Sequence, residues 1–266
     1  MGRAPSEVRA TLGIGISLIL ICCISAQPAS AQDEKGRTSV GTGISYSTGH
    51  YGQSTTTEVY AVPIFARYET SAYALGLIVP YISVTGNGEP VPGGVIFDST
   101  SSKRVTSSGL GDVVVMGSYT VFRGKEAAPW VDLTGYVKVG TADRKQQLGT
   151  GEDDYAAQID LYQRKGAVNW FTSVGYKVPG SPPGLRLHSV YYASLAGAYN
   201  FSARVRAGAM WSGQEALIDG SEPQSEMSAF FGWIPHPQYL LQFYTSRGLT
   251  NGSPDWSAGV TVAKAF

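Results

Sequence analysis

Acid–base, nucleophilic or metal chemistry in this chain would have to be built around three histidines, His50, His188 and His236, because its two cysteines, Cys22 and Cys23, both lie in an apolar N-terminal run. No carboxylate or second ligand sits at a spacing that fixes a triad or a metal site around any of them, and no His-x-Ser-Asn-like run is present. The glycines at Gly109 and Gly111 precede no helix, so they do not form a phosphate cradle. No catalytic, cofactor-binding or metal residue is therefore expected. A different set of residues invites a function: Arg67, Asp112, Asp132, Lys138, Asp160, Lys177, Arg204 and Arg206, with Glu226 near a rim. Charges of both signs on one face of a wall need water or partners. They can line a conduction path and set its selectivity, or pair across strands and fill a narrow lumen.

The elements that must position these charges are strands. From Ser107 to Phe122 the residues Val113, Val115, Gly117, Tyr119 and Val121 share one face, and Asp112, Val114, Met116, Ser118 and Thr120 share the other. The same alternation recurs along the chain. Tyr60, Val62, Ile64, Ala66 and Tyr68 oppose Pro63 and Arg67; Val205, Ala207, Ala209 and Trp211 oppose Arg204, Arg206, Gly208 and Met210. Tyr136, Tyr162, Phe171, Tyr192 and Tyr244 fall on the same face as the charges. The prolines Pro63 and Pro80 predict bulges or kinks. About twelve strands of roughly ten residues result, the length that crosses a bilayer at a tilt.

The connections alternate too. Short ones of about two to five residues lie at one end and long ones at the other, the longest around residues 84–106, which is the pattern of an outer-membrane barrel. A soluble sandwich also alternates, but it leaves the one-sided loop lengths and the Tyr and Trp near strand ends unexplained. The fold expected is thus all-β, an antiparallel transmembrane barrel of about twelve strands.

Composition agrees. Charged residues make up 15% of the chain, against about 25% in ordinary soluble domains. Lys plus Arg (20) balance Asp plus Glu (20), which argues against a nucleic-acid partner. At the N-terminus Arg3 and Arg9 precede an apolar run and the small-x-small signal Ala29-Ser30-Ala31. Residues 1–31 are expected to be a cleaved signal peptide and 32–266 one barrel domain. Both cysteines leave with the signal.

Two segments carry a family likeness: Glu58 to Tyr81, with Val62-Pro63, Arg67-Tyr68-Glu69-Thr70-Ser71 and Val79-Pro80-Tyr81, and Ser108-Gly109-Leu110-Gly111-Asp112-Val113. With Gly149 to Tyr155 and Ser173-Val174-Gly175-Tyr176, they resemble the outer-membrane family of meta-pathway phenol-degradation, transporter-like proteins. The resemblance implies a porin-like barrel handling aromatic or other apolar compounds, and it carries no catalytic residues. The terminal Phe266 resembles the C-terminal strand signal read by the barrel assembly machinery, although Lys264 stands where an apolar residue is usual. The partners expected are outer-membrane lipid, that machinery and a small-molecule solute. The leading expectation is a diffusion channel in the bacterial outer membrane. A non-conducting barrel with a structural or partner-binding role comes second, and a lipid hydrolase using His50 or His188 third.

Overall fold

The computed structural model describes residues 36–51, 55–86, 89–91, 95–97, 104–124, 128–146 and 148–266. The expected signal peptide lies outside them. Fifteen strands follow in order: β1 (Arg37–Gly49), β2 (Thr57–Glu69), β3 (Tyr73–Gly86), β4 (Glu89–Val91), β5 (Val95–Phe97), β6 (Val105–Leu110), β7 (Val113–Arg123), β8 (Trp130–Val139), β9 (Asp154–Lys165), β10 (Val168–Val178), β11 (Val190–Asn200), β12 (Val205–Gln214), β13 (Gln224–His236), β14 (Tyr239–Gly248) and β15 (Trp256–Ala265). Thirteen of them form one antiparallel sheet, and β4 and β5 pair separately as a hairpin within the longest loop. Because β6 and β7 are successive pieces of one wall strand, the sheet has twelve wall strands. It closes where β1 pairs β15, from Ser39 opposite Ala265 to Thr48 opposite Trp256. Closure leaves no open sheet edge through the wall, the condition for crossing lipid with strands.

Period-2 patterning dictates which face looks inward. Val40, Ile44, Tyr60, Ile64, Leu75, Leu133, Ile159, Val174 and Leu195 are all exposed on the outside of the wall. That surface is an apolar band, costly in water and suited to lipid. Aromatic rings gather at both ends of it. Tyr46 lies 4.7 Å from Tyr60 and 5.1 Å from Trp256 at the long-loop end, while Tyr68 lies 6.1 Å from Tyr73 at the other. Lys264 tops the short-turn girdle, with its Nζ 4.8 Å from the Phe266 ring centroid and 5.9 Å from that of Tyr239. A cation over aromatic faces at the interface is well tolerated, which explains a lysine in the last strand.

Three details depart from the regular pattern. The Ser107–Phe122 strand is not continuous but breaks at Gly111–Asp112, between β6 and β7. On the neighbouring β3, pairing stops at Ile78 with β7 and resumes at Tyr81 with β6. Pro80 occupies this gap, where its missing N–H cannot continue a ladder, and its carbonyl instead accepts from Gly111 N–H at 2.8 Å. Pro63 likewise sits in the gap of the β1–β2 ladder between Thr42/Ile64 and Ser45/Ala61, and its carbonyl accepts from the Thr42 hydroxyl at 2.9 Å. Near the short turns, β13 continues through Pro235 to His236 by a register shift, and the turn follows at Pro237–Gln238.

Candidate functional site

The inward face holds the candidate site, and it differs between the two ends. At the long-loop end four charges form a linked set. Lys138 Nζ lies 3.1 Å from Asp112 Oδ2 and 3.2 Å from Asp154 Oδ1, and Lys177 Nζ lies 3.2 Å from Asp154 Oδ2. All four side chains are at most 15% exposed. Backbone and hydroxyl groups complete the set: Ala142 N–H donates to Asp112 at 3.0 Å, Gly180 N–H to Asp154 at 3.1 Å, and Lys138 to the Thr150 hydroxyl at 3.1 Å. Charges this buried persist only when so satisfied. The bonds to Ala142 and Thr150 also fasten the 140–153 loop into the barrel mouth. There Leu148 is fully buried against Ala61, Ile82 and Ala142. Beside it, Leu185, Val190, Leu217 and Ile218 pack the 179–189 and 215–223 loops together. Tyr51 enters the mouth from the 50–56 loop, in a left-handed backbone conformation with φ 49°. Burial pushes its phenol well above the ordinary value, so it remains a neutral hydrogen-bonding group.

Below the mouth the wall is two-sided. One side is apolar: Val59, Ile78, Ile82, Val84 and Met116 from β2, β3 and β7 are buried. The other, from β9 to β15, mixes small hydroxyls with the buried apolar side chains Phe171, Met210 and Phe230. Ser173, Ser194 and Ser212 stand in register, as do Ser228, Ser246 and Ser257. Glutamate 226 accepts from the Ser246 hydroxyl at 3.0 Å. Tyr192 donates to Gln158 at 2.9 Å, Gln158 donates to Asp160 at 2.6 Å, and Thr134 donates to Asp160 at 2.6 Å. Tyr192 can lie flat across the wall because residue 175 is glycine; a Cβ there would come within 2.3 Å of its ring. Gly259 does the same for Tyr244, at 2.5 Å. Among the described residues, the buried Ser228 hydroxyl and Gln214 side-chain amide have no protein hydrogen-bond partner.

At the short-turn end the interior opens into two cavities of about 170 and 60 Å³ that share Arg67 and Glu69. Arg67 Nε lies 3.0 Å from Glu69 Oε2. The larger cavity is also lined by Arg37 and Arg206, and the smaller by Arg123 and Asp132. Arg206 lies along the wall over Gly232, where a Cβ would come within 2.9 Å of its Nε.

Of the eight charges anticipated on the inner face, Asp112 and Asp160 are buried, Lys138 and Lys177 are paired with Asp112 and Asp154, and Arg67, Asp132 and Arg206 line the cavities of the short-turn end. Arg204 lies apart from them. It sits exposed in the 201–204 turn, before β12 begins at Val205, and its N–H donates to the Ser202 hydroxyl rather than to a neighbouring strand. Two residues that matter were overlooked. Asp154 joins both lysines, and parity counted back from Asp160 through Gln158 and Ala156 reveals it. Leu148 gives no such signal, since it packs from an irregular loop. The histidines remain apart from the lumen charges. His50 does gain partners, with Asp255 Oδ2 2.8 Å from Nδ1 and the Thr56 hydroxyl 3.3 Å from Nε2. The imidazole and carboxylate are 55% and 53% exposed, so water screens this relay, which serves as a clasp between two loops.

No protein-family model and no curated protein sequence matches the chain. Solved structures do. An outer membrane channel from Pseudomonas putida F1 superposes with a TM-score of 0.69 at 15% identity, covering 91% of this chain and 100% of that one. The NanC porin gives 0.54 at 10% identity, covering 85% of this chain and 98% of its own. At this level of identity the likeness is one of fold alone: a closed, twelve-stranded antiparallel barrel.

Proposed function

We propose that this chain is an outer-membrane channel through which small solutes diffuse. The observation that carries the reading is the inward face itself, a water-compatible wall of charges, amides and hydroxyls enclosed by an apolar outer band. A barrel serving only as an envelope strut gains nothing from burying Asp160, Glu226, Gln158 and two in-register rows of three serines. The Pseudomonas putida F1 channel supports the same reading by fold. Residues 1–31 direct export and are removed, and the strand ending at Phe266 presents the chain to the barrel assembly machinery.

The solute class follows from the mixed lining of the lumen. Apolar side chains beside hydroxyls and amides suit a small solute that carries both a ring or short chain and a polar group. This matches the resemblance to the phenol-degradation family. The folded mouth, with Leu148 and Tyr51 inside it, sets a small size limit. The same filling favours the competing reading, a barrel that does not conduct. Purified, refolded protein in a planar bilayer separates them: discrete current steps support the channel, and a correctly folded barrel that never passes ions or phenol-sized solutes overturns it.

A further inference from the structure

We infer that the short-turn end of the lumen is a binding site for small organic carboxylates, preferring an anionic single-ring compound over its neutral counterpart. This deepens the channel reading and rests on it for how the ligand arrives. The larger cavity is lined by three arginines, Arg37, Arg67 and Arg206, and by one carboxylate residue, Glu69, whose Oε2 lies 3.0 Å from Arg67 Nε. At the other end two lysines meet two aspartates within 3.2 Å and their charges cancel. In the lining of the larger cavity, by contrast, arginines outnumber carboxylates. Guanidinium groups recognise carboxylates through paired N–H donors, and low-dielectric walls focus the field of such a cluster.

The rest of the lining selects the body of the ligand. Phe65, Ile78, Met116 and Leu240 give the cavity apolar walls. Its volume is about 170 Å³, and an apolar cavity of about 150 Å³ suffices for one benzene ring. Phe65 lies over Gly41 and Met116 over Gly76, where added Cβ atoms would come within 2.3 and 2.5 Å of them. Both side chains are thereby pressed to the wall and leave the cavity open. An inorganic anion would use the arginines and waste these walls, and a neutral hydrocarbon would do the reverse.

Benzoate and benzamide, nearly equal in shape, test the site on the folded full-length mature barrel in detergent, with binding followed by ligand-observed NMR. Benzoate should bind about tenfold more tightly, as one charge-assisted contact implies. Arg206→Gln should remove most of that preference. Should that variant fold poorly, Glu69→Gln gives an opposite and independent sign: benzoate should bind several-fold more tightly, because the competing carboxylate is gone. Equal binding of the two probes, or weaker benzoate binding to Glu69→Gln, overturns the site. Conductance read on the same preparation keeps the two readings apart. A barrel that conducts without distinguishing the probes loses the site alone, and one that binds benzoate without conducting loses the channel alone.

Discussion

The two ends of this barrel are made from the same kinds of residue and behave differently. At the long-loop end Asp112, Lys138, Asp154 and Lys177 satisfy one another and hold a loop in the mouth. At the short-turn end Arg37, Arg67 and Arg206 share a cavity with a single carboxylate, and the connections are too short to fold back over it. Equal numbers of opposite charges build structure; an imbalance leaves a field for something that enters. Connection length decides which outcome each end can have, since only the long loops can supply Leu148, Ala142 and Thr150 as a filling.

The contrast breaks most severely at Asp154. Asp154→Ala leaves Lys138 and Lys177 buried without the carboxylate they share and should cost about 3–5 kcal/mol, seen as a lower midpoint in chemical unfolding of the folded barrel. Leu148→Ala comes next. Loss of its buried contacts should cost about 2–4 kcal/mol, loosen the 140–153 loop and raise single-channel conductance. In Gly175→Ala the new methyl meets the Tyr192 ring and should cost about 1–3 kcal/mol; the ring turned into the lumen should lower conductance. The smallest change is expected at His50. Removing an exposed contact with Asp255 should alter stability by at most about 1 kcal/mol, and His50→Ala should leave any lipid-hydrolysis signal unaltered. Turnover that disappeared with the imidazole would instead revive the hydrolase.

Most of the wall was legible in the sequence because a barrel strand writes its two environments into alternate residues. Twelve strands, their faces and the inward direction of Asp112 toward a lysine on a neighbouring strand all followed from parity. Strand ends were harder. Arg204 kept the parity of Arg206 but fell beyond the ladder, where a Ser202-capped turn takes over. The break at Gly111–Asp112 depended on Pro80 in a different strand. Least legible was the filling of the mouth, since Leu148, Tyr51 and Leu217 reach it from irregular loops whose destination no period encodes. The cavity at the short turns also combines residues distant in sequence, and Arg37 and Glu69 stand at the very ends of their strands.

Single-channel recording in a planar bilayer under a potassium chloride gradient tests the central claim most directly. The folded barrel should give small, discrete current steps, with a zero-current potential displaced toward the chloride equilibrium value by the arginines of the short-turn end, and Leu148→Ala should give larger steps. A silent bilayer from both proteins, each shown to be folded, would contradict the account.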